Sequence, residues 1–233
     1  MSEAVGYALG MRLRPGLFMF ALSACSTGAP PHTQHAGHGQ GFHKSFADAE
    51  GYARMFDSVE RDVWQMPDEV LRLLDVKPGA VVADIGAGTG YFEPHLARAV
   101  GPEGHVLALD SEPKMVSHMA ERLAKAGLSN VEARLVQAGD PALPQASVDR
   151  ILIVNTWHHL SDRAAYALKL HAALRQGGVL AVVDFTKESD LGPPPEHRLT
   201  AEQVIAELTA AGLEAQVVAE PLPKQYVVLA GYR

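Results

Sequence analysis

Residues 81–92 read Val-Val-Ala-Asp-Ile-Gly-Ala-Gly-Thr-Gly-Tyr-Phe, and their types and spacing suit a ligand that lies against the main chain. An apolar run ends in an acid, Asp84. Glycine then occupies every second position, at Gly86, Gly88 and Gly90, with Ala87 and Thr89 between them. A β-carbon at one of these glycines would hold a flat ligand off the backbone. A second acid, Asp110, closes the next apolar run, over 105–109. A glycine-rich first turn, paired with an acid that ends the second strand, is how an open α/β sheet holds a ribose-bearing cofactor.

The spacing separates two kinds of cofactor. A dinucleotide turn reads Gly-x-Gly-x-x-Gly, and its third glycine lets the helix pack closely under a pyrophosphate. Here the third glycine comes one residue early, at Gly90. The Asp-x-Gly-x-Gly-x-Gly turn resembles motif I of the class I S-adenosylmethionine-dependent methyltransferases. That resemblance implies a cofactor site at Asp84, Gly86, Ala87, Gly88, Gly90 and Asp110. Asp84 would face the amino-acid end of S-adenosylmethionine. Asp110 would accept from both ribose hydroxyls, and Ser111 and Met115 would flank the adenine. The adenine amino group usually meets an acid after the third strand. Asp140, before Pro141-Ala142-Leu143-Pro144, is the candidate, although it stands one position later than the family pattern puts it.

After the fourth apolar run comes Asn155-Thr156-Trp157-His158-His159-Leu160. It resembles the post-strand segment of small-molecule methyltransferases, which adds Asn155 to the cofactor residues. Methyl transfer is an in-line displacement, so the enzyme mainly aligns the nucleophile and strips water. A base is needed only where the acceptor must lose a proton. His158 or His159 could be that base, and one of the two is expected to pack structurally. Trp157 is expected to shape the cofactor pocket. Residues 192–198, Gly-Pro-Pro-Pro-Glu-His-Arg, stand where a substrate-covering loop would be, with His197 and Arg198 as candidates for an anionic group or a plain helix lead-in.

The elements that must position these residues follow from periodicity. Strands are expected at 80–85, 105–110, 131–136, 149–155 and 179–185, and helices near 91–100, 112–126, 161–175 and 200–211. Residues 48–74 carry helical apolar spacing, and Pro67-Asp68-Glu69 suits the first turn of a second helix. Regular β/α alternation implies a doubly wound, mostly parallel sheet. Two late runs, 215–219 and 226–230, are joined by too short a link for a parallel pair, so the seventh strand should insert antiparallel. The expected fold is a seven-stranded, Rossmann-like methyltransferase fold, with the domain over 46–233.

The 233 residues carry a formal net charge of −7, and no basic run exceeds two neighbours, which argues against nucleic acid as a partner. The single cysteine, Cys25, forbids an intramolecular disulfide. It follows a basic opening at 11–14 and an apolar run over 15–24, which is too short to span a bilayer but suits an export signal. Leu22-Ser23-Ala24-Cys25 resembles a bacterial lipobox. That resemblance implies a signal over 1–25, a lipid-anchored Cys25 and a cell-envelope location; a cytoplasmic enzyme starting near Met11 is the alternative. Residues 26–45, rich in Gly, Ser, Pro and His, read as a flexible tether rather than a metal site.

Three functions remain open on these readings. One is a methyltransferase acting on a small molecule, and another is methylation of protein carboxyl groups. The third is a membrane-tethered binding protein that keeps the fold without turnover.

Overall fold

The computed structural model describes residues 59–232. The expected signal, lipobox, tether and the first part of the 48–74 helical segment lie outside them. Within the described part of that segment lie two short helices, α1 (Val59–Gln65) and α2 (Pro67–Leu73), the second beginning at Pro67 as expected. They break at Met66, whose backbone is left-handed (φ 47°, ψ 59°), with Pro67 opening α2. Then follow β1 (Val81–Ile85), α3 (Glu93–Val100), β2 (His105–Asp110), α4 (Pro113–Ala126), β3 (Val131–Leu135) and β4 (Val148–Val154). A turn of 3-10 helix, Trp157–His159, leads to α5 (Arg163–Ala173), β5 (Leu174–Phe185), α6 (Ala201–Ala210), β6 (Leu213–Val217) and β7 (Gln225–Tyr232).

The seven strands lie in the order β3-β2-β1-β4-β5-β7-β6. Only β7 runs antiparallel to its neighbours, slotted between β5 and β6 as the short link requires. The central strands are near-continuous Val, Leu, Ile and Ala because both faces of the sheet are covered. Successive residues serve opposite sides. Val82, Leu152 and Val183 pack with Leu71 of α2, Leu74 just after it, Tyr91 and Phe92 of the turn before α3, and Leu96 of α3. Ala83, Ile153 and Val182 pack with Tyr166, Leu170, Val204 and Leu208 of α5 and α6.

β1 lies between β2 and β4, so the chain leaves it toward both sides of the sheet. The crevice beyond the carboxyl ends of β1 and β4 is therefore where this architecture accepts ligands.

Two strands begin two or more residues earlier than the periodicity puts them. β5 begins at Leu174 rather than near 179, because its register against β4 jumps from Val148↔Leu174 to Arg150↔Val179. Gly177 (φ 77°) turns the chain in that excursion, and a β-carbon on Gly178 would lie 2.8 Å from the Arg175 carbonyl. β6 begins two residues early, at Leu213, because Gly212 (φ 92°) ends the preceding turn and the strand starts at once.

Candidate active site

The glycine turn is tied to the end of β2. The amides of Gly86 and Ala87 donate to the Leu109 carbonyl at 2.8 and 3.0 Å. The Gly88 amide donates to Asp110 Oδ2 at 2.8 Å, and the Glu112 amide donates to Asp110 Oδ1 at the same distance. Asp110 is thus clamped at the mouth of the turn. Burial raises its pKa, while the amides of Glu112, Gly88 and Ser111 hold it down. A carboxylate offers about four acceptor sites, so both oxygens keep capacity for further donors.

All three glycines have positive φ, for different local reasons. A β-carbon on Gly86 would strike the Thr156 side chain at 2.4 Å. One on Gly90 would press on Met119 at 3.0 Å. One on Gly88 would meet nothing nearer than the Gly86 carbonyl at 3.9 Å, so the space above Gly88 is open.

Asp84 lies at the floor of the turn, 3% exposed. Burial pushes its pKa up from 3.8 to about 7, with Glu93 and Arg61 opposing and Asp110 adding to the rise. Glu93, the first residue of α3, is fully buried, and its pKa is raised by burial and by Asp84. Sequence reasoning missed Glu93, because an acid at the start of a helix looks like an ordinary partner of the helix dipole.

A raised pKa in the folded state favours the protonated form, so the stability that Asp84 contributes is complete below its unfolded value near 3.8. It is lost as pH climbs through about 7. We expect the melting temperature of Asp84→Asn, relative to wild type, to be higher at alkaline than at mildly acidic pH. A tenfold change in a protonation equilibrium corresponds to about 1.4 kcal/mol, so the stability difference should change by up to about that much for each pH unit in this range. Parallel melting curves across that range check it, and a pH-independent difference would contradict the assignment.

The other expected cofactor residues divide. Met115 is buried on α4 and Ser111 is exposed beside Asp110. Asp140 is committed to its surroundings: Oδ1 accepts from the Ala142 amide at 2.9 Å and Oδ2 pairs with Lys169 at 3.1 Å. These partners lower its pKa. Asn155, in left-handed backbone (φ 53°), accepts at Oδ1 from Gln225 Nε2 at 2.7 Å. Gln225 in turn accepts from Gln65 Nε2 at 2.7 Å, and Gln65 accepts from Arg61. This chain straps α1 to the carboxyl edge of the sheet. Arg61 also lies 3.8 Å over the Tyr91 ring, Tyr91 donates its hydroxyl hydrogen to Asp62, and Trp64 packs 5.8 Å from Phe185. α1 therefore packs against Tyr91, Gln225 and Phe185, beside the carboxyl ends of the central strands. The network joins residues up to 160 positions apart, so no local pattern announces it.

Of the two histidines, His158 is buried and His159 half-buried, their rings 4.2 Å apart. His158 Nδ1 lies 2.8 and 3.0 Å from the two oxygens of Asp184, near the end of β5, and both side chains are 2% exposed. Asp184 also accepts from the Phe185 amide. Sequence reasoning passed over Asp184, although a third acid near the end of an apolar strand is a signal that could have found it.

Two expectations are corrected. Trp157 is fully buried in the core beside α5 and α6, and its Nε1 donates to Glu207 at 2.7 Å, so it supports the post-β4 turn from beneath. Arg198 is buried, and its guanidinium donates to the carbonyls of Pro193, Thr186, Lys187 and Ser189 at 2.6–3.0 Å. Its hydrogen-bonding capacity goes to folding the 186–198 loop rather than to an anion. Gly192 lies flat on the Phe185 ring, where a β-carbon would come within 2.4 Å.

A doubly wound sheet with one reversed strand, a three-glycine turn and an acid closing β2 defines a class I S-adenosylmethionine-dependent methyltransferase. Residues 76–221 match the family model described as a methyltransferase domain, and the chain belongs to that family. The crystal structure of an S-adenosylmethionine-dependent methyltransferase from Aquifex aeolicus is similar at 32% identity and a TM-score of 0.73, covering 77% of this chain and 96% of that one. An arsenite methyltransferase of Halobacterium salinarum is 31% identical over 154 residues, which is 61% of this chain and 39% of that protein. A demethylmenaquinone methyltransferase of Listeria monocytogenes is 31% identical over 116 residues, 50% of this chain and 49% of that protein. The chain thus spans half or less of the length of these curated relatives. S-adenosylmethionine is the cofactor of the class, and the residues present fit it. There is open space over Gly88, a clamped carboxylate with spare acceptor capacity at Asp110, and a buried acid at Asp84.

Proposed function

We propose that the protein transfers a methyl group to a small molecule carrying an ionisable nucleophile. The observation that carries this reading is the buried His158–Asp184 pair, close in sequence to Thr156, which abuts the cofactor turn. S-adenosylmethionine, when bound, supplies an electrophilic methyl group on a sulfonium. Asp110 orients the ribose, and Asp84 faces the amino-acid end. Ser111 and Met115 lie toward the adenine, while Asn155 braces the post-β4 turn. α1 and the 186–198 loop shield the crevice from water.

Asp184 accepts a hydrogen bond from His158 Nδ1–H, which leaves Nε2 as the basic nitrogen. His158 Nε2 would then take the acceptor's proton as the nucleophile attacks. The His159 ring packs against His158, tilted by 43° with centroids 4.2 Å apart. The small-molecule class also draws support from the relatives, which are named for arsenite and for demethylmenaquinone. A base of this kind favours a hydroxyl or acidic carbon acceptor over arsenite.

The test is transfer of label from methyl-labelled S-adenosylmethionine to a panel of phenols, quinols, carbon acids and arsenite, with proteins included as acceptors. Label on a protein-free small molecule is the expected result; label on protein alone would defeat it. For any acceptor found, Asp184→Asn should lower turnover by about 10²–10⁴-fold, the range of a lost general base, while cofactor affinity changes little. Unchanged turnover would remove His158 as the base.

A further inference from the structure

We infer that Glu93 holds a proton against Asp84 in the free protein, and that this proton leaves when the cofactor's ammonium group arrives, which makes Glu93 a positioning residue that couples cofactor binding to proton release. The inference rests on the cofactor placement proposed above.

Glu93 lies directly beneath the glycine turn. Its Oε2 is 3.4 Å from where a β-carbon on Gly90 would stand, next to the Met119 side chain of α4. It is 0% exposed, and among the described residues neither of its oxygens has a hydrogen-bond donor. Asp84, also buried, is the acid whose charge and hydrogen bonding act on it. Two ionised carboxylates present acceptors only, so this contact becomes a hydrogen bond when one of them carries a proton. Burial acts in the same direction on both, favouring the protonated form.

The surrounding charges do not remove that need. Arg61 on α1 attracts Asp84 and Arg122 on α4 attracts Glu93, while Asp110 on β2 repels Asp84. The Glu93 amide, at the start of α3, also favours the ionised form. Both arginines have other partners: Arg61 lies over the Tyr91 ring and Arg122 donates to the Thr89 carbonyl at 3.2 Å. Free protein therefore holds the pair with one shared proton and a single negative charge. An ammonium beside Asp84 adds one positive charge, which compensates the second carboxylate. The O–H bond of the pair then breaks, its proton passes to a buffer base, and the ammonium stays protonated. Cofactor affinity should rise by up to about tenfold per pH unit below the point at which the pair ionises unaided.

Calorimetric titration of the full chain with S-adenosylhomocysteine tests this without turnover. It would be done about one pH unit above the raised Asp84 value of about 7, where Asp84 alone is ionised, in phosphate and in Tris, whose ionisation enthalpies differ. The expected result is release of up to about one proton per ligand bound. Methylthioadenosine, which keeps the nucleoside but lacks the amino-acid end, should bind with no release. Glu93→Gln should bind S-adenosylhomocysteine without release. Equal heats in the two buffers for wild type would overturn the inference while leaving the cofactor placement intact. So would equal release from the Gln variant, or equal release with methylthioadenosine. If S-adenosylhomocysteine did not bind wild type at all, the placement and the inference would both fall. The comparison of the two ligands on wild type needs no variant, so it decides the matter even if Glu93→Gln does not fold.

Discussion

Gly88→Val should abolish binding of S-adenosylmethionine while leaving a folded domain. The two halves of this expectation have separate causes. The fold tolerates the change because the added β-carbon meets no atom closer than the Gly86 carbonyl at 3.9 Å. The remaining structural cost is backbone strain, since valine must take φ near +60°. That costs on the order of 1–3 kcal/mol, well within what a domain of this size can lose. Binding does not tolerate it, because the branched side chain fills the open space over the turn where the cofactor must lie. A loss of more than about 100-fold, or roughly 3 kcal/mol, is expected. Calorimetry reads the affinity and circular dichroism reads the fold. Gly86→Ala is the contrasting control: its β-carbon would fall 2.4 Å from Thr156, so stability should suffer there first. Near wild-type affinity in Gly88→Val would make the turn structural only.

The fold was legible because its causes are local or periodic. Apolar runs ending in Asp84 and Asp110, glycine at the turns, and a short link before β7 suffice to specify alternating parallel strands with a reversed last one. Boundaries failed where one glycine decided them, as at Gly177 and Gly212. The site was legible only where a residue's task is set by its own segment. The glycine turn and Asp110 belong to that class, since their hydrogen bonds run to neighbouring strand ends.

Residues whose meaning comes from burial or from partners beyond their local pattern were misread or missed. Arg198 is charged and sits in a proline-rich loop, which leaves an anion site and an exposed helix lead-in both open, yet it is buried and four carbonyls of the same loop close around it. Glu93 owes its state to burial, and nothing in residues 91–96 reveals burial. Asp184 owes its role to His158, 26 positions away. The Gln65–Gln225–Asn155 strap depends on β7 starting at the edge where β4 ends, a consequence of sheet order alone.

Asp110→Ala should weaken cofactor binding by about 1.5–3 kcal/mol, the scale of losing hydrogen bonds to a charged acceptor, or roughly 10- to 150-fold in affinity. Part of any such loss comes from the turn itself, because alanine also leaves the Gly88 and Glu112 amides without their acceptor. Asp110→Asn separates the contributions. Its carbonyl oxygen can still serve one amide, but its amino group donates, so it cannot accept from both ribose hydroxyls. If the loss in Asn approaches that in Ala while the melting temperatures differ, the ribose contact is the cause. The pH dependence has a fixed sign. Protonating Asp110 removes an acceptor, and burial has raised its pKa above the ordinary 3.8. Wild-type affinity should therefore fall on acidification at a higher pH than for an ordinary aspartate. In Asp110→Asn this component is lost, and any pH dependence left belongs to Asp84 and Glu93. Unchanged affinity in both variants would show that Asp110 holds the turn together and does not touch the ribose.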